Sequence, residues 1–166
     1  MAALVPMLAA PRRLLARSAA GRELHFTHTH TGERLAVEYF NDGAYVPDAL
    51  QEVNHFLRDF RTGDIHPIDA DLLDLLHGVT ALTESRAPLQ VISGYRSPVT
   101  NEMLRHRSEG VAAGSLHMQG QAIDIRLADV PLPSLRRAAL EIGRGGVGFY
   151  PASDFVHVDT GRVRTW

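Results

Sequence analysis

His117 and Asp124 are the residues whose types and spacing are best suited to bind a metal ion. They lie seven positions apart, and Gly120 between them permits a tight turn that a residue with a Cβ atom would resist. After this turn, polar and apolar residues alternate through Asp124, which is typical of a strand. A ligand on a loop and a ligand on a strand still need a third partner, for which His157 is the best candidate.

Two imidazoles and one carboxylate, with a fourth position open to water, form a ligand set that catalytic zinc uses. Manganese or iron could occupy the same set, because geometry and supply decide which metal is bound. Spacing alone does not establish such a site, since a histidine is more often a surface or hydrogen-bonded residue.

Asp154 and Asp159 flank His157 and are candidates for a second task, the transfer of a proton from water to a leaving amine. In an extended strand, residues i and i+2 share a face, so Asp159 would lie beside His157 and Asp154 would not. That objection weakens if Asp154 belongs to the turn that the segment 151–153 predicts. Asp159 could instead orient His157 as a supporting group.

Three motifs follow one another along the chain. They are Ser-Gly-Tyr-Arg-Ser-Pro at 93–98, Ser-x-His-x-x-Gly-x-Ala-x-Asp at 115–124, and Gly-Gly-Val-Gly-Phe-Tyr-Pro at 145–151, which is followed by Asp-x-x-His-x-Asp at 154–159. Together they resemble the zinc D-Ala-D-Ala peptidase family, which shares its fold with the hedgehog signalling domain. The closest match is the bacterial murein endopeptidase branch, and the resemblance covers residues 22–166.

The resemblance implies a metallopeptidase that cuts peptide cross-links of the bacterial cell wall and acts in the periplasm or after export. It implies one Zn²⁺ per chain, held by His117, Asp124 and His157. Asp154 stands at the position of the family's proton-transferring carboxylate, which is often Glu. We therefore predict Asp154 as the base and Asp159 as a supporting residue that orients His157 or a neighbour.

Arg96 lies in the first of these motifs, where a strand is expected to turn into a helix. From the sequence alone, a surface arginine paired with an acid is the simpler interpretation. The resemblance implies instead that Arg96 lies beside the metal and contacts a substrate carboxylate or carbonyl oxygen. The fixed fork of guanidinium donors suits that role.

Other functions remain open on these motifs. A D,D-carboxypeptidase would trim a terminal residue, and it would have a closed groove with a cation that receives a free carboxylate. A non-catalytic zinc-binding module of the same fold would lack the water-activating carboxylate, whereas Asp154 and Asp159 are both present. A metal-free structural domain would be unaffected by His117→Ala.

Composition limits the class of protein. The chain has 166 residues, 45% of them hydrophobic, which suits one domain with a sizeable core. A net charge of −2 gives no basic field for nucleic acid, and the absence of cysteine excludes disulfides and thiolate zinc sites. No apolar run approaches the roughly 20 residues of a membrane span. We expect a monomer whose partner is cell-wall peptide.

Periodicity predicts the elements that position the site. The fold class is α+β, with a small, mostly antiparallel sheet packed by about four helices. Residues 22–166 form the peptidase domain, and residues 1–21 are an N-terminal arm or the remnant of an export signal. Strands are predicted at 23–27, 34–40, 89–93, 121–127, 147–150 and 155–159, and helices at 46–60, 69–82, 98–104 and 135–142. Asp69 and Ser97 are predicted as the N-caps of the second and third helices.

Overall fold

The computed structural model describes residues 21–107 and 111–166. The prediction for residues 1–21 therefore lies, apart from Gly21, outside the described residues. The described part is an α+β fold with four α-helices, as predicted, and its single sheet has eight strands where six were predicted. The strands are β1 (Arg22–His28), β2 (Arg34–Asn41), β3 (Ala44–Tyr45), β4 (Leu89–Ser93), β5 (Ala122–Arg126), β6 (Gly146–Tyr150), β7 (Phe155–Asp159) and β8 (Arg164–Thr165). The helices are α1 (Pro47–Phe56), α2 (Ala70–Thr83), α3 (Pro98–Arg107) and α4 (Leu132–Ile142).

The sheet is mostly antiparallel, as predicted. Its strand order is β3-β2-β1-β4-β5-β7-β6-β8. The pairs β1–β4 and β6–β8 are parallel, and the others are antiparallel. A parallel pair needs a long crossover, and between β1 and β4 the chain passes through α1 and α2. The two-residue strands β3 and β8 were not predicted, because a pair of residues carries no periodic signal.

Helix starts agree with the predicted caps, whereas one helix end does not. The carboxylate of Asp69 accepts the N–H of Asp71 at 3.0 Å, and the Ser97 hydroxyl accepts the N–H of Thr100 at 3.2 Å. The helix predicted over 46–60 ends at Phe56. Beyond it, the buried carboxylate of Asp59 accepts the N–H of Arg61 at 3.0 Å, and such local bonds compete with helical ones.

Alternate residues of the central strands separate the hydrophobic core from the opposite face of the sheet. Ile123 and Ile125 on β5 and Val156 and Val158 on β7 are fully buried in the core. Burial of each such side chain stabilises the fold by about 1.5–3 kcal/mol. The intervening residues point to the other face, and Asp124 is one of them. No helix in the described part has the length and apolar character needed to cross a membrane.

Candidate metal centre

Two adjacent strands and one turn position the three predicted ligands. Asp124 on β5 lies directly opposite His157 on β7, so both side chains leave the same face of the sheet. His117 comes from a single 3₁₀ turn, Leu116–Gln119, that ends at Gly120. Gly120 has φ of 67°, and a Cβ there would lie 2.1 Å from the carbonyl oxygen of Pro67, so only glycine fits this position.

The three side chains converge on one point. Oδ1 of Asp124 is 2.9 Å from Nδ1 of His157 and 3.2 Å from Nε2 of His117, and the two nitrogens are 3.2 Å apart. All three residues are buried, and their ligand atoms lie within 4.8 Å of one another. The structure therefore brings together the residues that the sequence analysis assigned to a metal.

Hydrogen bonds on the outer side of each imidazole determine which nitrogen faces inward without a proton. Nδ1 of His117 lies 2.7 Å from the carbonyl oxygen of Gly94, and Nε2 of His157 lies 3.0 Å from Oδ2 of Asp159. An oxygen acceptor at each position requires that the outer nitrogen donate, which leaves two lone pairs facing each other. A cation between them would remove that repulsion, so the donor set fits a divalent metal.

Charge at the centre is dominated by Asp124. Burial raises the pKa of Asp124, but His117, His157 and Arg96 lower it by more, so its pKa lies well below the usual range. Burial lowers the pKa of His117, which keeps that ring neutral. Burial also lowers the pKa of His157, but its bonds to Asp124 and Asp159 outweigh burial and raise it. The cluster thus combines the ionised carboxylate of Asp124 with two imidazoles, and this donor set suits a bound cation.

Asp159 is fully buried, and both of its oxygens are occupied. Oδ1 accepts the N–H groups of Gly146 and Gly161 and one Arg164 donor, at 2.9–3.0 Å. Oδ2 accepts from His157 at 3.0 Å and from Arg164 at 2.7 Å. Burial raises the pKa of Asp159, but these bonds lower it well below its usual range. Asp159 therefore contacts the three-residue cluster through His157, with its own oxygens filled by these donors.

Arg96 lines the same cleft as His117, Asp124 and His157 and is bonded to one of them. Its Nη2 donates to Oδ2 of Asp124, and its Nε donates to the Ser93 hydroxyl at 2.8 Å. Its backbone N–H also donates to the carbonyl oxygen of His117 at 3.2 Å, which ties the strand-to-helix corner to the ligand turn. The simpler interpretation, a surface arginine paired with an acid, is right about the pairing. The acid is Asp124, however, which is one of the three predicted ligands, and the Arg96 side chain is mostly buried.

Asp154 lies apart from this cluster. It follows the turn Pro151–Ser153, has φ of 54°, and directs an exposed carboxylate to Arg126 at 2.9 Å. Its neighbours Ser153 and Phe155 line the cleft, but Asp154 is not among the lining residues. The turn position agrees with the sequence analysis, and the role as base stays a prediction.

The metal cluster lies in a cleft of about 430 Å³. Tyr150 lines this cleft, whereas Tyr95 does not and instead stacks on His66 at 4.8 Å between ring centroids. Arg164 and Trp166 also line the cleft, and the sequence analysis assigned neither of them to the site. In the sequence, only their position a few residues after the last motif could have suggested a role at the site. In the structure, the pairing of β8 with β6 brings them to the cleft.

Comparison with known proteins finds one matching family model and several similar proteins. A family model described as peptidoglycan L,D-endopeptidase MepK matches residues 16–166. The chain is 46% identical over 145 residues to the peptidoglycan L,D-endopeptidase MepK of Escherichia coli strain K12, covering 87% of this chain and 80% of that protein. It is 44% identical over 146 residues to the probable peptidoglycan L,D-endopeptidase MepK of Haemophilus influenzae, covering 87% and 78%. The predicted resemblance to the murein endopeptidase branch is confirmed.

Proposed function

Because the chain belongs to the peptidoglycan L,D-endopeptidase MepK family of peptidases, we propose that it is a zinc-dependent endopeptidase that hydrolyses peptide cross-links of peptidoglycan. The observation that carries the proposal is the buried convergence of His117, Asp124 and His157 on the floor of a cleft. Periplasmic or exported location follows from the substrate, which lies outside the cytoplasm.

The three ligand residues would hold one Zn²⁺, and when bound it would polarise a peptide carbonyl and lower the pKa of a water molecule toward neutrality. The protein supplies the geometry. The carbonyl of Gly94 and the carboxylate of Asp159 hold the two imidazoles in the tautomers that a metal requires. Because His117, Asp124 and His157 are buried, packing leaves their side chains few rotamers other than the one that would bind the metal.

Arg96 is proposed to bind the oxygen of the scissile carbonyl. Nε is held by Ser93 and one terminal nitrogen by Asp124, so the guanidinium is already oriented before substrate arrives. A fixed donor beside a carbonyl stabilises the negative charge that develops on its oxygen during hydrolysis. Arg96 lines the cleft, as this role requires.

Asp154 is proposed as the group that accepts the proton of water and delivers it to the leaving amine. Its carboxylate is exposed, which permits it to leave Arg126 and turn toward the cleft that Ser153 and Phe155 line. Asp159 is proposed as a positioning residue, because all of its acceptor sites are filled within the protein.

Charge in the cleft favours an endopeptidase over a carboxypeptidase. Both arginines among the described lining residues are already paired, Arg96 with Asp124 and Arg164 with Asp159. Neither is left to receive the free carboxylate of a chain end, whereas a cross-link within a polymer presents none at the scissile bond. The two activities release products of different mass, so mass spectrometry distinguishes them.

The experiment is mass spectrometry of muropeptides from purified cross-linked peptidoglycan incubated with the zinc-loaded protein, with and without a chelator. We expect a chelator-sensitive fall in dimers and a matching rise in monomers, with fragment masses that identify an L,D bond. Dimers that stay joined but lose a terminal residue would indicate a carboxypeptidase. Unchanged dimers with one zinc bound per chain would indicate a binding module and contradict the proposal.

A further inference from the structure

We infer that Trp166 is a substrate-positioning residue, and that its indole ring contacts the aliphatic side chain of the peptide residue beside the scissile bond. The inference rests on the proposed function, because it assigns the part of the substrate that this cleft holds. It also assigns a role to a residue that lies outside the three motifs.

One row of residues crosses the sheet and leads from the metal cluster to Trp166. Asp124 on β5 lies opposite His157 on β7, and His157 lies opposite Gly148 on β6. Residues that pair directly point to the same face. Gly148 has no side chain, and the space above it is occupied by the indole of Trp166, to which an added Cβ would come within 2.7 Å. The ring therefore lies beside the metal ligands on the functional face.

Several contacts restrain Trp166 although the residue is 47% exposed. Its Nε1 donates to the Tyr150 hydroxyl at 2.7 Å, and the Arg164 guanidinium lies over the ring at 4.8 Å from the centroid. Both backbone polar groups of Trp166 bond to β6: its N–H donates to the carbonyl oxygen of Val147, and its carbonyl oxygen accepts the N–H of Phe149. A surface tryptophan without a function has no need of these restraints, whereas a binding surface gains affinity when it is ordered in advance.

Trp166 forms one end of an aromatic strip, which we define as Trp166, Tyr150 and Phe155. Tyr150 stacks on Phe155 at 4.6 Å between centroids and accepts the hydrogen bond from Trp166. All three residues line the cleft. Such a strip offers apolar faces to alkyl groups rather than donors or acceptors to charged ones. The Arg96 corner provides the polar contacts of the same cleft.

Distance identifies which part of the substrate reaches the strip. The ring centroids of His157 and Trp166 are 5.3 Å apart. A residue of an extended peptide spans about 3.3–3.6 Å, so the indole reaches groups within about two residues of a bond cleaved at the cluster. This range includes the side chains that flank the cross-link, and these carry the alkyl groups that an indole binds.

The first test uses the emission of Trp166, which is the only tryptophan of the chain. The free stem tetrapeptide without sugar is the probe, because an endopeptidase does not cleave it. We expect a saturable change in emission, with a dissociation constant that matches calorimetry. Binding seen by calorimetry with no change in emission would overturn the inference. A change that requires sugar-bearing muropeptides would assign the strip to the glycan and overturn it as well.

The second test compares Trp166→Ala, Trp166→Phe and Gly148→Ala in cleavage of soluble cross-linked dimers. We expect Trp166→Ala to raise KM about tenfold with kcat within about threefold of the original. Trp166→Phe should recover most of the loss, and Gly148→Ala should raise KM while the tryptophan is retained, because the new methyl group displaces the ring. Zinc affinity and the unfolding temperature serve as structural controls.

An unchanged KM in Trp166→Ala would contradict the inference. Zinc affinity and kcat that fall together with KM, without rescue by phenylalanine, would make Trp166 a structural support of His157 and would also contradict it. Failure of the unaltered protein to cleave any dimer would instead contradict the proposed function. In that case the emission experiment with the stem peptide still decides whether Trp166 contacts a peptide.

Discussion

His157 and Asp159 lie two residues apart on β7 and are joined by a hydrogen bond of 3.0 Å from the imidazole Nε2 to the carboxylate Oδ2. The bond turns Nδ1 of His157 toward Asp124 and leaves Asp159 behind the ring, away from the cleft. The carboxylate that strand geometry places beside His157 therefore holds the imidazole in this orientation.

Asp159→Asn tests this positioning role. We expect zinc affinity to fall about 10- to 100-fold, because asparagine offers one acceptor oxygen where the carboxylate served five donors. Calorimetric zinc titration measures the effect, and cleavage under saturating zinc should recover much of its rate. Asp71→Asn, at an exposed carboxylate, is the control. Loss of cleavage with zinc affinity intact would show that Asp159 is the base.

Asp154→Asn tests the proton-transfer role. We expect kcat to fall by about 10²- to 10⁴-fold with zinc affinity unchanged, because the amide cannot accept a proton and Asp154 touches no ligand residue. Rates of dimer cleavage and zinc titration together measure this. Arg126→Gln is the matched variant, since it removes the ion pair that holds the carboxylate at 2.9 Å and should leave kcat intact. A cleavage rate within a few-fold of the original in Asp154→Asn would remove Asp154 from the mechanism.

Gly120→Ala tests how strictly the ligand turn requires glycine. The left-handed backbone costs alanine about 1–2 kcal/mol, and its methyl group would also collide with the carbonyl of Pro67. We expect lower stability and weaker zinc binding, because His117 must move. Gly32→Ala is the matched control, since its φ is 74° and nothing lies within 4 Å of the added Cβ. Equal losses in both variants, with zinc binding retained, would refute a steric role at Gly120.

The hydrogen bonds of Asp74 should make the free energy of unfolding depend on pH, independently of the candidate metal site. It accepts hydrogen bonds from Arg22 at 2.5 Å and from the hydroxyls of Tyr39 and Tyr45 at 3.0 Å. Burial raises the pKa of Asp74, but these bonds lower it by more, so its pKa lies below the ordinary value of an aspartate. Stabilisation by Asp74 is therefore complete above the pKa of the unfolded chain and is lost as the pH falls through the folded-state pKa.

Asp74→Asn should lower the free energy of unfolding by about 1.5–3 kcal/mol near neutral pH. The difference from the original protein should shrink as the pH falls below 4, because the original then loses the same charge. Denaturant unfolding of the metal-free protein at several pH values measures both effects. Asp71→Asn on the same helix controls for the loss of one negative charge. A difference that stays constant down to pH 3 would contradict a charge-dependent role.

Sequence alone was sufficient to predict the fold class and most of the elements. The caps at Asp69 and Ser97 and the period-two pattern of β5 are local, so the residues that determine them lie close together in the chain. The end of α1 was predicted too late, because the Asp59 carboxylate that binds Arg61 is also held by Ser97, a residue 38 positions away. No local pattern can report such a partner.

The same division holds at the candidate site. The motif spacing determined which imidazoles and carboxylate to consider, because short motifs place a turn, a glycine and a strand in a set order. Only the tertiary structure decided that Asp159 faces the back of His157, that Asp154 pairs with Arg126, and that Trp166 covers Gly148. These relationships depend on which strands lie side by side, and strand order is a property of the whole sheet rather than of any segment.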